Sequence, residues 1–399
     1  MPERRLLALS YAFPPIFAPE AALIAKRLVN LPGWATDVIA AAPVRSKGVD
    51  PDLVAYADAG VRSVTRLPQW PFPFHRLGLI ARIPDAMRFL NCRAVQAARA
   101  LDPSKFQALL SWSQWHSIHL AAYRLKMDHP NLPWLAHFSD PWTDNPFNRS
   151  RGLERQINLH WERCVIETAD RILFTSPETV DLVMAKYPFG WRDKVRVIPH
   201  GYEPALYSGE RPARGVSRRK VLRYIGNFYG LRTPQPLIRA LDIALRRRPS
   251  LATEIAVEIV GTVEKNMDTS GGIVLPAGLL SYRQPVSYRE SLRLMETADI
   301  LLVVDAAMDR SVFFPSKLVD YLGSGRPIVA LSPEGASARV LRNLGEGVAD
   351  PADADSAAVV LLKAIDNLTH DARTMTRREQ YSAVSTAAQL AAVLDEFTE

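Results

Sequence analysis

The segments RLLALSY (residues 5–11), EAALIAKRLVNLP (20–32) and TDVIAAA (36–42) follow one another as apolar, amphipathic and apolar runs. In the middle one, Ala22, Ile24, Leu28 and Leu31 share roughly one face of a helix. A strand, a helix and a strand in close succession make a βαβ unit, which places both strands parallel in one sheet. The pattern recurs. Strands are expected at 107–111, 132–138, 171–175 and 195–198, with helices at 84–101, 117–127 and 152–169. Residues 204–220 (PALYSGERPARGVSRRK) are polar, contain Pro and Gly, show no apolar period and read as a linker. A second series then supplies strands at 221–225, 255–260, 300–304 and 327–331, and helices at 234–247, 287–298, 316–324 and 355–368. The segment 380–398 reads as a last helix, and no internal repeat or low-complexity tract interrupts the chain. The expected fold class is α/β, with two doubly wound domains at 1–203 and 221–379. Ligands of such sheets sit outside the carboxyl ends of the strands, and pockets favour domain interfaces.

The 399 residues, 48% apolar and 23% charged, suit two globular cores and exclude a chain disordered throughout. No run of 18 apolar residues is present, so no membrane-spanning helix is expected. The apolar start LLALSYAF leads into Pro14-Pro15 and reads as a buried strand, not as a signal peptide. Cys92 and Cys164 are too few for a disulfide framework or a cysteine metal site, which fits a cytoplasmic location. The net charge of +7 is local. Residues 62–105 hold eight basic side chains against Asp85 and Asp102, which points to an acidic partner surface.

Four stretches carry chemistry. In VFFPSKLVDYLGSGRP (312–327), Pro315 stands in a first helical turn and Ser316 can cap it or offer its hydroxyl. Amides of a helix start bind phosphate, Lys317 adds a point charge, and Asp320, one turn after Ser316, can accept from a ribose. The same residues also suit an ordinary helix start. In IGNFYGLRT (225–233), Gly226 and Gly230 flank a strand-to-helix turn, with Asn227 within it and Arg232 at the helix entrance. Such a turn can bring amides to a phosphate, but it is not GxGxxG, so a dinucleotide site is not supported. In WLAHFSDPWTDNP (134–146), His137, Asp140, Trp142 and Asp144 follow a strand, and the neighbouring SWSQWHSIH adds His116 and His119. No HExxH, HxH or supported DxD appears, so no metal is expected. Residues 62–90 interleave Arg66, Arg76, Arg82 and Arg88 with Trp70, Phe72 and Phe74, which suits an anionic membrane surface. A proline-rich loop on the core is the plain alternative. Nucleic acid is not expected, since no recognised binding motif is present.

Taken in order, SYAFPP, PWLAHFSDPW, ETADRILFTSPET, VRVIPHGYEP, YIGNFYGLRT, METADILLVV and FFPSKLVDYLGSGRPIVAL resemble the family 4 glycosyltransferases over nearly the whole chain. The resemblance implies the GT-B architecture: two facing Rossmann-like domains with a cleft between them. The first domain would take the acceptor, the second the nucleotide-sugar, and the last helix (380–399) would return to the first domain. Residues of the donor site would be Gly226, Asn227, Arg232, Ser316, Lys317 and Asp320. Arg232 and Lys317 would neutralise the leaving diphosphate in place of a metal. His116 or His119 would lie near the donor sugar, with His116 favoured, and Asp140 would join it in the catalytic region. Pro15, Glu20, His137 and Trp142 would face the acceptor.

The chain departs from the family in three places. Asn227 stands at the usual Arg position. Val312 stands where the first of two glutamates is expected, with Asp320 at the second. IFAPE replaces the usual Gly-Gly after Pro14-Pro15. The implied activity is a retaining, metal-independent transfer of a hexose from a UDP- or GDP-sugar to a lipid-linked or cell-envelope glycan. The leaving phosphate would accept the acceptor's proton during front-side attack. The protein would be cytoplasmic, peripheral on the inner face of the membrane. A degenerate nucleotide-sugar-binding scaffold and a nucleotide-sugar epimerase are the alternatives.

Overall fold

The computed structural model describes residues 4–16, 18–43, 51–69, 83–147, 150–209, 219–368 and 376–398. The chain forms two compact units, Met1–Gly201 with Ala383–Glu399, and Tyr202–Ser382.

The first unit holds β1 (Arg4–Leu9), β2 (Trp34–Ala41), β3 (Ser63–Leu67), β4 (Ala108–Trp112), β5 (Trp134–Phe138), β6 (Arg171–Phe174) and β7 (Val195–Val197). They pair in parallel in the order β3-β2-β1-β4-β5-β6-β7. The order reverses between β1 and β4, the switch point where such sheets bind ligands. The strands read as nearly continuous apolar runs because helices cover both faces. One core gathers Leu7, Leu9, Leu109 and Trp134 on one face, and another gathers Leu6, Ala8, Leu110 and Leu135 on the other.

The helix Ala383–Asp395 belongs to this unit and adds Leu390 and Leu394 to the second of those cores. Its end is tied down by charge. Asp395 accepts from Arg4 (2.6 Å) and from the Trp34 indole (3.1 Å), and Arg171 and Arg196 both pair with Glu396.

The second unit holds β8 (Lys220–Ile225), β9 (Ile255–Val260), β10 (Leu280–Arg283), β11 (Ile300–Val304), β12 (Ile328–Leu331) and β13 (Gly347–Ala349). The order is β10-β9-β8-β11-β12-β13, again all parallel, and it reverses between β8 and β11.

Two expectations change. Residues 204–209 are not linker but part of the second unit. There the Glu296 carboxylate accepts from Ser208 N, Ser208 Oγ and Gly209 N, and the Tyr207 hydroxyl donates to Asp320 O. Residues 210–218 lie outside the described residues. Within 62–90, Ser63–Leu67 is an edge strand rather than a loop. Arg66 donates to Pro14 O and Arg88 to Ile83 O, so these two guanidinium groups serve the unit itself. Trp70, Phe72, Phe74, Arg76 and Arg82 lie outside the described residues. Among the described residues no helix is long and apolar enough to cross a membrane.

Candidate functional site

In each unit, polar side chains gather at the carboxyl ends of the strands beside the switch point. In the second unit β8 is followed by Gly226, whose φ of 149° lies outside the range that side chains favour. The next strand, β9, is followed by Gly261, where a Cβ would sit 2.0 Å from Gly226 O. The two turns therefore touch backbone to backbone. Asn227 fastens them further: its Oδ1 accepts from Thr262 N at 2.9 Å. Exposed and engaged in this way, Asn227 holds the loop and carries no charge to a diphosphate, unlike the Arg usual there.

Arg232, at the end of the same loop, reaches Asp305, the residue after β11, at 3.4 Å. The Asp305 carboxylate also accepts from Ser332 Oγ at 2.8 Å. Across from them, the helix Ser316–Gly323 begins after Pro315, which occupies the cap position; no side chain caps the helix, so Ser316 does not serve as its cap. Ser316 is half-buried at its first turn. The next residue, Lys317, donates from Nζ to the Tyr224 hydroxyl at 3.0 Å and lies 4.3 Å from the centre of that ring. Among the described residues no carboxylate forms an ion pair with Lys317. Burial and the neighbouring Arg232 charge hold its pKa well below the usual lysine range, with Asp305 opposing them. Asp320, one turn on, is buried and already accepts from the Tyr288 hydroxyl at 3.0 Å. Val312 is buried as well.

In the first unit, Glu20 lies in the first turn of the helix Pro19–Val29, just beyond Pro15. Its carboxylate accepts from the Trp112 indole at 2.6 Å and from Ser139 Oγ. Burial raises its pKa to about 7 against the lowering effect of those two donors. Asp140 follows directly, with no hydrogen bond or ion pair among the described residues, and burial raises it to about 6. Arg27, two turns along the helix from Glu20, is buried and lies 4.9 Å over the Trp112 ring.

The histidines separate by environment. His119 is wholly buried: Ser111 Oγ accepts a hydrogen bond from the Trp134 indole and bonds His119 Nδ1 at 2.8 Å, so His119 is a core residue. His137 is also wholly buried, stacked on Trp112 at 3.8 Å, and supports that ring instead of lining an accessible surface. His116 remains partly exposed, stacked on Trp142 at 5.1 Å with nearly parallel rings. Burial of the ring lowers its pKa to about 3, so it is a neutral hydrogen-bonding group. Trp142 is buried, donates to Asn158 Oδ1 at 3.0 Å and backs His116 rather than facing outward. His116 and Asp140 thus lie at the ends of β4 and β5, with no direct bond between them. Among the described residues no three His, Cys, Asp or Glu side chains group as metal ligands.

Arg27, Trp112, Ser139, Tyr224, Asp305 and Ser332 were not expected as site residues. Five of them stand in the last two positions of a strand or just beyond it, and that position was the available signal.

Over 98% of its length the chain has the fold of Anabaena HepE in complex with UDP-glucose (TM-score 0.67, 15% identity, 99% of that chain). It matches the sucrose-phosphate synthase of Thermosynechococcus elongatus equally well (TM-score 0.67, 14% identity, 99% of each chain). The two parallel-sheet units are therefore the GT-B fold of glycosyltransferases. Residues 21–201 match the glycosyl transferase 4-like domain. A stretch of 135 residues is 28% identical to the D-inositol 3-phosphate glycosyltransferase of Nocardiopsis dassonvillei. That stretch is 32% of this chain and spans 30% of that protein.

Proposed function

We propose that the chain is a retaining glycosyltransferase that moves a hexose from a UDP- or GDP-sugar to a lipid-linked or cell-envelope glycan. One observation carries the donor site. Lys317 stands beside a second cation, Arg232, and Asp305 faces both. Two neighbouring cations beside tightly apposed glycine turns fit a diphosphate. As the sugar leaves, the diphosphate gains charge, and two fixed cations stabilise it without a metal. The leaving phosphate takes the acceptor's proton, so no enzymatic nucleophile is required. His116 then serves as a neutral hydrogen-bonding group and Asp140 as a hydrogen-bond-accepting carboxylate toward sugar and acceptor. Glu20 fixes the Trp112 and Ser139 side chains beneath them.

The test is a thermal shift with UDP, GDP, ADP, CMP and their sugars, without added metal. A ligand at a hundred times its dissociation constant stabilises by about 2.7 kcal/mol. One responding diphosphate is expected, and no response to any of them sinks the donor site. The uncharged Asn227 and Val312 favour a second reading, a binding protein without transfer. Sugar transfer to an acceptor extract separates the two.

For the acceptor, a location on the inner face of the membrane is proposed from the basic and aromatic residues of 62–90. Sedimentation with vesicles containing anionic lipid is expected to carry the protein down, and failure to sediment with either anionic or neutral vesicles overturns that location.

A further inference from the structure

Lys317 has an unusual holder, and the inference drawn from it rests on the donor-site reading above. We propose that Tyr224 is a positioning residue that fixes Lys317 as an ammonium aimed at the diphosphate. Tyr224 is the last but one residue of β8, fully buried, with its ring stacked on Phe228 at 4.3 Å and 13°. Its hydroxyl donates to Asn227 O at 3.3 Å. A phenol has one proton, so with that proton engaged the oxygen meets Lys317 as an acceptor. The polarity of the Lys317–Tyr224 bond is thereby set: nitrogen donates, oxygen accepts, and the charged form of the lysine is favoured.

Gly226 lies beside the arrangement. A Cβ there would lie 3.4 Å from the Tyr224 hydroxyl oxygen and 3.5 Å from Lys317 Cδ, where the lysine stem passes the turn. The charged groups facing Lys317 are Arg232 from the loop after β8 and Asp305 from the end of β11. On its own helix, Asp320 is turned to Tyr288. Arg232 works against the ammonium, Asp305 works for it, and the phenol oxygen is its one direct hydrogen-bond partner among the described residues.

The test is Tyr224→Phe, which keeps the ring and its stack and removes the acceptor. Two measurements are made across pH on wild type, Tyr224→Phe, Lys317→Met and the double variant. The first is acylation of the Lys317 amine by acetic anhydride in the ligand-free protein, read by peptide mass spectrometry. Without the acceptor the ammonium gives up its proton more readily, so reactivity should rise at lower pH in Tyr224→Phe. The second is affinity for the responding nucleotide, UDP or GDP. Its alkaline limb should move to lower pH, with about a tenfold loss near pH 8, the size of one hydrogen bond to a charged group. The double variant should bind no worse than Lys317→Met. An acylation profile unchanged by Tyr224→Phe overturns the proposal, as does an equal loss of affinity when the tyrosine is changed in the Lys317→Met background. If wild type binds no nucleotide while the acylation profile still shifts, the donor-site reading fails and the positioning role stands.

Discussion

Lys317→Ala and Arg232→Ala should each weaken binding of the responding nucleotide by about ten- to a hundredfold, and for different reasons. Hydrogen bonds to charged groups contribute about 1.5–3 kcal/mol, and 1.4 kcal/mol is a factor of ten. Lys317 has no ion-pair partner among the described residues, so its removal subtracts a cation and leaves Asp305 still paired with Arg232. Arg232 is the salt-bridge partner of Asp305 at 3.4 Å. Its removal subtracts a cation and also leaves that carboxylate facing the diphosphate. Charge repulsion therefore adds to the loss in Arg232→Ala, while Lys317, relieved of a like charge, gains proton affinity. Arg232→Ala combined with Asp305→Asn should recover part of the affinity. The same Asp305→Asn change with Lys317→Ala should recover less. Isothermal titration with the responding nucleotide measures all of these. Full affinity in both single variants would remove the cation pair from the donor site, and equal recovery in the two backgrounds would break the proposed division of roles.

Much of this architecture is legible in the sequence because both sheets are parallel and buried on both faces. Strands such as ILLVV (300–304) then appear as unbroken apolar runs, and β9 and β11 fall at the expected residues. The strands that escape detection lie at sheet edges. β3 (SVTRL) keeps most of its residues half-buried and carries Arg66, so its pattern looks like loop. Edge strand β10 (LSYR) has three exposed residues, and edge strand β13 has three residues in all. The short helices Pro177–Met184 and Ala336–Asn343 escape because eight residues give barely two periods. Within the site, the cations Arg232 and Lys317 are visible as residues beside a glycine turn and at a helix start. What the sequence hides is pairing across strands: that Tyr224 meets Lys317 from a position 93 residues earlier, and Asp305 meets Arg232. Histidines mislead for the same reason. His116 and His119 are one helical turn apart, yet only the structure separates a half-exposed ring from a core one.

A residue outside every motif should govern the stability of the first unit. Glu162, in the helix Gly152–Thr168, is wholly buried. Its carboxylate accepts from Thr143 N and Thr143 Oγ1 at 2.9 Å each, and from Lys186 Nζ and the Tyr187 hydroxyl at 2.6 Å each. Thr143 directly follows Trp142, so the carboxylate pins the loop that carries Asp140 and the Trp142–His116 stack. Breaking a buried ion pair from one side costs about 3–5 kcal/mol. Here Lys186 keeps Asp144 at 2.5 Å, which places Glu162→Ala near the lower end, about 3 kcal/mol. Glu162→Gln retains an acceptor for Thr143 and loses only the charge, so a loss of about 1–2 kcal/mol is expected. Guanidinium unfolding measures both, and an alanine variant as stable as wild type would show that the network does not hold the loop. Nucleotide affinity is the second readout. Every donor-site residue named above belongs to Tyr202–Ser382, whereas Glu162 belongs to the other unit. Under conditions where Glu162→Ala remains folded, nucleotide affinity should therefore be unchanged while sugar transfer falls, because the Trp142–His116 side has loosened. Loss of nucleotide binding in that variant would mean that the donor site depends on the first unit.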